Sequence, residues 1–227
     1  MNQVSLNDRF KSAPWLSKRE MIFIGGCGGI GSNALYNLYK TIPATYFVTD
    51  FDTVEEHNLA TQFFALQDKG KHKVIAITKF LEAMVGTPQD RSLNSIRTTI
   101  TKDSRVLPIT ISAFDNMEAR KNLYNSWLKL EDREILLDGR LRATYYQVYA
   151  VTKGREDEYE KTLFSDDEIE PAPCTFKQTP HFGMLIGARI TQILTNYLTN
   201  KYAGDDINVV PFMIEELGDL MHVNIVP

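Results

Sequence analysis

Cysteine is scarce in this chain, which has only Cys27 and Cys174 among its 227 residues. Two cysteines cannot build a disulfide framework or an all-cysteine zinc site. A low cysteine content is typical of proteins from a reducing compartment, so we expect a cytoplasmic location.

Long apolar runs and an excess of basic residues are also missing. No run approaches the roughly 18 residues that a membrane-spanning helix requires, and the first 15 residues lack the apolar stretch of a signal peptide. Lys and Arg total 25 against 29 Asp and Glu, which gives a net charge of −4. We therefore expect no membrane partner and no nucleic-acid partner.

The residues that are present predict an α/β protein. Hydrophobic residues make up 43% and charged residues 24%, enough apolar material for a core. Compact apolar or β-branched runs alternate with segments of helical periodicity, which favours a mostly parallel sheet with helices on both faces. The predicted strands are 21–24, 45–49, 109–113 and 135–137, and the predicted helices are 30–39, 73–84 and 117–130.

The second half has a different pattern, which indicates that the sheet is extended by a mixed or antiparallel C-terminal part. It predicts a strand at 145–151, an acidic surface stretch at 155–170, a helix at 184–198 and two final strands at 209–215 and 221–226. We expect a single domain over residues 1–227. A polar N-terminal arm covers 1–19, and a crossover loop that carries Cys174 covers 153–180.

A glycine-rich motif directly follows the first predicted strand and opens the first predicted helix. Glycines allow the backbone to approach a phosphate or ribose closely, and a helix N-terminus offers free N–H groups and a positive dipole end. In this strand–loop–helix context the motif predicts nucleotide binding. It reads Gly26-Cys27-Gly28-Gly29-Ile30-Gly31-Ser32.

Asp50 ends the second predicted strand, 24 residues after Gly26. A carboxylate at that place can accept hydrogen bonds from ribose hydroxyls, which positions an adenosine. NAD and ATP remain equally compatible with these two features.

The segments that follow resemble the ThiF/MoeB family of enzymes that activate ubiquitin-like proteins, in a bacterial or phage form. That family carries a D-x-D-x-V run, an N-L-x-R-Q motif, a lysine that opens the next helix, and a D-N-x-x-x-R segment. The matching residues, in order along the chain, are Asp50-Phe51-Asp52-Thr53-Val54, Asn58-Leu59-Ala60-Thr61-Gln62, Lys73, and Asp115-Asn116 with Arg120.

The resemblance implies a Rossmann-like adenylation domain that uses ATP and Mg²⁺. It implies that the glycine loop (Gly26, Gly28, Gly29 and Gly31) and Asp50 hold adenosine and its ribose, with Asp52 assisting. It further implies that Asn58 and Lys73 contact the phosphates, that Asp115 binds Mg²⁺, and that Lys73 and Asp115 are catalytic. The implied partner is a ubiquitin-like protein or peptide with a C-terminal glycine, and the implied assembly is a homodimer.

The sequence departs from the family pattern at two points. Thr61 replaces the arginine of N-L-x-R-Q, so one phosphate contact must come from elsewhere, with Arg9, Arg19 or a partner subunit's arginine as candidates. The paired CxxC motifs of some relatives are absent, so we expect no structural zinc of that kind.

Cys174 lies in a proline-bounded segment that resembles the catalytic-cysteine segment of eukaryotic activating enzymes, C-T-[IL]-x-x-[TSF]-P. The resemblance implies that Cys174 accepts the activated C-terminus as a thioester, and Lys177 and His181 could lower the pKa of its thiol. The competing interpretation is an incidental surface cysteine. Cys27, among the glycines, is expected to have a packing role.

Two further functional interpretations remain open for the sequence. The same glycine motif occurs in NAD-dependent oxidoreductases, and Thr61 is compatible with a non-catalytic subunit that pairs with an active one. Arg140 and Arg142 follow the predicted strand 135–137 and face either a substrate carboxylate or pyrophosphate, or solvent.

Overall fold

The computed structural model describes residues 6–8, 10–165 and 180–227. Eight strands form one sheet in the order β3-β2-β1-β4-β5-β6-β7-β8. They are β1 (Glu20–Gly25), β2 (Ala44–Thr49), β3 (Ser92–Ile96), β4 (Ile109–Ser112), β5 (Ile135–Arg142), β6 (Tyr145–Thr152), β7 (Met213–Leu217) and β8 (His222–Val226). Within the described ranges, no helix is long and apolar enough to cross a membrane.

The sheet is parallel from β3 to β5 and antiparallel from β5 to β8. This arrangement confirms the α/β fold with an antiparallel C-terminal extension. The chain runs from β1 to β2 and β3 on one side, and then crosses back to place β4 on the other side of β1. Ligands of open α/β sheets bind beyond the carboxyl ends of the strands at such a reversal, which here lies between β1 and β4.

Helices cover both faces, as the sequence predicts. They are α1 (Gly29–Thr41), α2 (Lys73–Val85), α3 (Met117–Leu128), α4 (Glu156–Glu160) and α5 (Pro180–Ala203). One core packs apolar side chains of α1, α2 and α5 against the sheet, and a second packs those of α3 and α4 against the other face. Successive residues explain the division, because Ile22 and Ile24 face the first core while Phe23 faces the second.

A close approach between α1 and α5 fixes the direction of the first helix. A Cβ atom added to Gly187 of α5 would lie 2.8 Å from the backbone nitrogen of Ala34 in α1. Only glycine permits this separation, because a larger residue would push the two helix backbones apart. The apolar side chains of Ile186 and Ile190 fill the space between α5 and the sheet.

Several elements differ from the sequence-based boundaries. The edge strand β3 was not predicted, because its sequence, SLNSI, has two apolar residues and no continuous run. β5 continues through Arg142, so Arg140 lies within a strand rather than after one. The expected crossover loop begins with the short helix α4, whose Tyr159 is fully buried. Residues 166–179, including Cys174, lie outside the described residues.

The N-terminal segment packs on the body of the protein in its described part. Trp15 is 4% exposed and donates a hydrogen bond from Nε1 to Oγ1 of Thr199 in α5, at 3.2 Å. Asn7 donates from its amide to Asp90 beside the start of β3. Both contacts lie at the amino ends of the parallel strands, away from the reversal between β1 and β4.

Candidate functional site

The glycine loop turns sharply between β1 and α1. Gly26 has a φ of +90°, a left-handed conformation that favours glycine. Its N–H donates to the carbonyl of Thr49 in β2, at 2.8 Å. The first hydrogen bond of α1 joins the Ser32 N–H to the Gly28 carbonyl. The preceding N–H groups therefore have no partner inside the helix, and the N-terminus of α1 is suited to an anion.

Gly31 allows α1 to begin directly against the loop. A Cβ atom at this position would lie 2.0 Å from the carbonyl oxygen of Gly26, closer than any packed carbon. Gly28 differs, because the nearest atom to an added Cβ is Nε2 of Gln62, at 3.9 Å. The protein thus requires a glycine at 31 for its own packing, whereas the space beside Gly28 is open to a ligand.

Asp50 closes the loop from the end of β2. Its carboxylate accepts a hydrogen bond from the Cys27 N–H at 2.7 Å and another from the Asp52 N–H at 2.8 Å. Burial raises the pKa of Asp50 above its usual value, against the lowering effect of these hydrogen bonds and of Lys73. Each oxygen accepts one protein hydrogen bond and retains capacity for a second, so the group can also accept from a ribose.

Lys73, the first residue of α2, places a buried ammonium beside Asp52. The residue is 8% exposed, and its Nζ lies 2.7 Å from Oδ2 of Asp52, whose side chain is 45% exposed. The backbone repeats the link, since the Lys73 N–H donates to the Asp52 carbonyl at 3.0 Å. The buried ammonium of Lys73 is therefore paired with a carboxylate, that of Asp52, which solvent or a ligand can reach.

Asn58 and Gln62 lie between the loop and Lys73 along the chain. Asn58 is 4% exposed, and its Oδ1 accepts the Glu55 N–H at 2.9 Å, which closes the turn that precedes Gln62. Among the described residues, Oε1 of Gln62 is buried without a hydrogen-bond partner, while Nε2 of the same side chain lies nearest to a Cβ added at Gly28. A buried acceptor of this kind is costly, and a bound ligand or water that donates to it would remove the cost.

Asp115 lies just beyond β4, on the opposite side of the glycine loop from Asp50. The Ala113 N–H donates to the Gly25 carbonyl at 2.8 Å, which joins the ends of β4 and β1. Asp115 itself is exposed, and Asn116 begins α3 by accepting the Ala119 N–H at 2.8 Å. The structure thus brings Asp115 to the same edge of the sheet as the loop.

A buried ionic cluster stands beneath this edge. Asp138 of β5 is fully buried between Arg120 of α3, at 2.9 Å, and Arg140, at 2.6 Å. The Tyr159 hydroxyl donates to the same carboxylate at 3.0 Å. Burial alone would raise the pKa of Asp138, but the two guanidinium groups lower it to about 2. Arg140 is therefore neither a surface charge nor a group that faces the site.

Asp138 is the clearest residue that the sequence analysis missed. It follows the apolar run Ile135-Leu136-Leu137, just as Asp50 and Asp115 follow theirs, and this repeated pattern was the available signal. Gln62 was part of a quoted motif without a role. Its buried Oε1 is visible only in three dimensions.

Two further sequence candidates, Cys27 and Arg19, lie within the described residues. Cys27 is fully buried, and burial, followed by the nearby Asp50 carboxylate, raises the pKa of its thiol, as expected for a packing residue. Arg19 donates to the Gln89 carbonyl at the amino end of the strands, so it does not reach the loop of its own chain. Cys174 and Arg9 lie outside the described residues.

The fold and the loop define a nucleotide-binding α/β protein. The ThiF family matches residues 16–216, and the chain belongs to that family. None of the curated proteins compared with this sequence matches it.

Solved structures of two proteins have the same fold. Escherichia coli MccB with ATP has a TM-score of 0.66 at 18% identity, over 97% of this chain and 65% of that one. MccB with MccA-N7isoASN has a TM-score of 0.68 at 16% identity, over 97% and 66%. PaaA has a TM-score of 0.67 at 14% identity, over 92% and 64%. This chain thus spans about two thirds of the length of each protein.

The two loop glycines give a test of ligand binding that is separate from folding. We expect Gly28→Ala to keep the melting temperature close to that of the unchanged protein, because the nearest atom to the added Cβ, Nε2 of Gln62, lies 3.9 Å away. The added methyl group should weaken ATP binding about tenfold, or ~1.4 kcal/mol. Gly31→Ala should lower the melting temperature, since its Cβ meets the Gly26 carbonyl. Calorimetry with ATP and with NAD measures binding. Unchanged ATP affinity in Gly28→Ala would contradict a phosphate at this loop, and tighter binding of NAD would contradict ATP as its ligand.

Proposed function

We propose that this protein transfers the adenylyl group of ATP to the C-terminal carboxylate of a peptide or a ubiquitin-like protein. The observation that carries the proposal is Lys73, a buried ammonium beside the glycine loop whose partner, Asp52, is partly exposed. An ion pair with one exposed partner is suited to exchange, because phosphate oxygens can replace or share the carboxylate.

The residues of the loop fit ATP. The N-terminus of α1 offers N–H groups to a phosphate, and the open space beside Gly28 lets it approach. Asp50 retains acceptor capacity for the ribose hydroxyls, and Asn58 has an amide that can donate to a phosphate once its carbonyl has closed the turn. Gln62 places its Nε2 beside the same space, 3.9 Å from a Cβ added at Gly28, and this nitrogen can donate to a phosphate oxygen.

Asp115 fits the requirements of Mg²⁺ in such a site. Mg²⁺ bound with a nucleotide usually takes one or two carboxylates, with phosphates and water as its other ligands. Asp115 is an exposed carboxylate at the edge where the loop lies. When bound, Mg²⁺ would neutralise charge on the phosphate oxygens.

The proposed reaction is a displacement at the α-phosphorus. A carboxylate oxygen of the substrate forms the new O–P bond while the bond to pyrophosphate breaks, and the products are an acyl adenylate and pyrophosphate. The protein contributes positioning and charge: Lys73 balances the charge that develops on the departing pyrophosphate. The buried, rigid surroundings of Lys73 keep its ammonium in place.

A polypeptide partner has support from two sides. MccB structures contain MccA, including N-formylated MccA, and this chain shares their fold. In addition, exposed apolar side chains occupy the β7–β8 turn, which β-pairing places at the same edge of the sheet as the ends of the parallel strands. They are Leu217, Leu220 and Met221. We extend the proposal to a partner that ends in glycine, as the family resemblance implies.

Lys73→Ala and Asp115→Ala should each abolish ATP–pyrophosphate exchange while the protein remains folded. Loss of one charge contact at a developing negative charge costs about 2.7–4 kcal/mol in comparable sites. Lys71→Ala is the matched control, because the Lys71 ammonium pairs with Asp68 rather than with Asp52. Near-normal exchange in either site variant, with circular dichroism unchanged, would show that the site is elsewhere.

We also propose a homodimer in which an arginine of one copy supplies the phosphate contact that Thr61 cannot make. Arg19 donates to the Gln89 carbonyl, so it does not supply this phosphate contact within its own chain. Light scattering at micromolar concentration should give twice the mass of the chain. At a protein concentration low enough for the dimer to dissociate, the unchanged protein should lose exchange and Thr61→Arg should restore it. A fully active monomer would show that one copy forms the whole site, and would contradict a site that two copies share.

Cys174 is proposed as the acyl acceptor in a second step. Its thiolate would attack the acyl adenylate carbonyl, form a thioester and release AMP. Cys174→Ala should therefore keep pyrophosphate exchange and lose a reducible adduct with the substrate protein on non-reducing gels. Cys27→Ala is the control, since its buried thiol should contribute to neither result. An adduct that survives Cys174→Ala, or none in the unchanged protein, would leave adenylation as the only step.

A further inference from the structure

Arg120 joins three separate parts of the structure with one side chain. It projects from α3, is 7% exposed, and pairs with the fully buried Asp138 through Nε at 2.9 Å. One terminal nitrogen of the guanidinium donates to the Gly139 carbonyl, also at 2.9 Å, and to the Phe114 carbonyl. The last contact reaches the residue that directly precedes Asp115.

The carboxylate of Asp115 is exposed, and in the part of the chain that the structure describes it accepts a hydrogen bond from the amide of its neighbour Asn116, at 3.3 Å. Its position therefore depends on the backbone on either side. Asn116 fixes the following side as the N-cap of α3, and on the preceding side the Phe114 ring packs over Gly25 while the Phe114 carbonyl accepts from Arg120.

Arg140 provides a natural comparison, because it binds the same carboxylate without touching this loop. Its guanidinium contacts the other oxygen of Asp138, and its terminal nitrogens donate to the carbonyl and hydroxyl of Thr162. The two arginines thus share the task of neutralising Asp138. The loop that carries Asp115 is contacted by Arg120 alone of the pair.

We propose that Arg120 is a positioning residue, which fixes Asp115 for Mg²⁺ through the Phe114 carbonyl. The inference rests on the proposed function, in which Asp115 binds the metal that accompanies ATP. The planar guanidinium is essential because one side chain must reach a carboxylate and two carbonyls at once. A lysine, with a single ammonium, cannot reproduce that geometry.

The experiment compares Arg120→Lys with Arg140→Lys. Each variant weakens one ion pair of Asp138, so both should lose thermal stability to a similar degree. Hydrogen–deuterium exchange of residues 113–119 should become faster in Arg120→Lys and remain unchanged in Arg140→Lys. In pyrophosphate exchange, Arg120→Lys should need about tenfold more Mg²⁺ for half-maximal rate, as expected for a displaced ligand, and should recover most of kcat at high Mg²⁺. Arg120→Gln, which leaves Arg140 to neutralise Asp138, repeats the test if the lysine variant is unfolded.

The outcomes separate the positioning role from the proposed function. Equal Mg²⁺ requirements in the Arg120 and Arg140 variants, or unchanged hydrogen exchange in the loop of the Arg120 variant, would overturn the positioning role and leave Arg120 a purely structural residue. An unchanged protein that exchanges no pyrophosphate would instead contradict the proposed function itself.

Discussion

The site depends first on the contact between Gly31 and the carbonyl of Gly26. Because no side chain separates them, α1 begins against the loop and its N-terminal N–H groups lie at the loop surface. The direction of α1 is also fixed by α5. The two helix backbones can approach closely because Gly187 of α5 has no side chain. Asp50 then holds the loop from β2 through the Cys27 N–H. A phosphate would thus meet a loop that α1 and β2 already hold in place.

Charge is balanced differently on the two sides of this loop. On the β2 side, Lys73 is buried and its partner Asp52 is partly exposed, so the pair can open toward a ligand. Beneath the β4 side, Asp138 is fully buried between Arg120 and Arg140, and removal of Asp138 would leave two buried guanidinium groups without their carboxylate. The Lys73–Asp52 pair is therefore suited to exchange of the carboxylate for a ligand's phosphate. The Asp138 cluster is suited to holding the backbone in one position.

The sequence predicted the parallel half of the fold well because its strands are buried on both faces. Continuous runs such as Met21-Ile22-Phe23-Ile24 identify such strands directly. β3 escaped detection because an edge strand needs few apolar residues. β5 was cut short at Asp138, since a charged residue in a strand interior argues against the strand unless its partners are known. Those partners, Arg120 and Arg140, are 18 residues away and 2 residues away, and only tertiary structure shows that both are buried with it.

The candidate site was predictable where a motif carries its own chemistry. The glycine loop, Asp50 and Lys73 each lie at a local feature, namely a helix N-terminus, a strand end and a helix start, so their placement follows from short segments. The support for Asp115 is different in kind. Its backbone is held by a side chain from the next helix, whose charge is balanced by a residue of the next strand. The D-N-x-x-x-R motif contains both Asp115 and Arg120, but the motif alone does not show that the arginine contacts the backbone before the aspartate. The arginine is required at that distance because one turn of α3 returns its side chain to the carbonyl that precedes the aspartate.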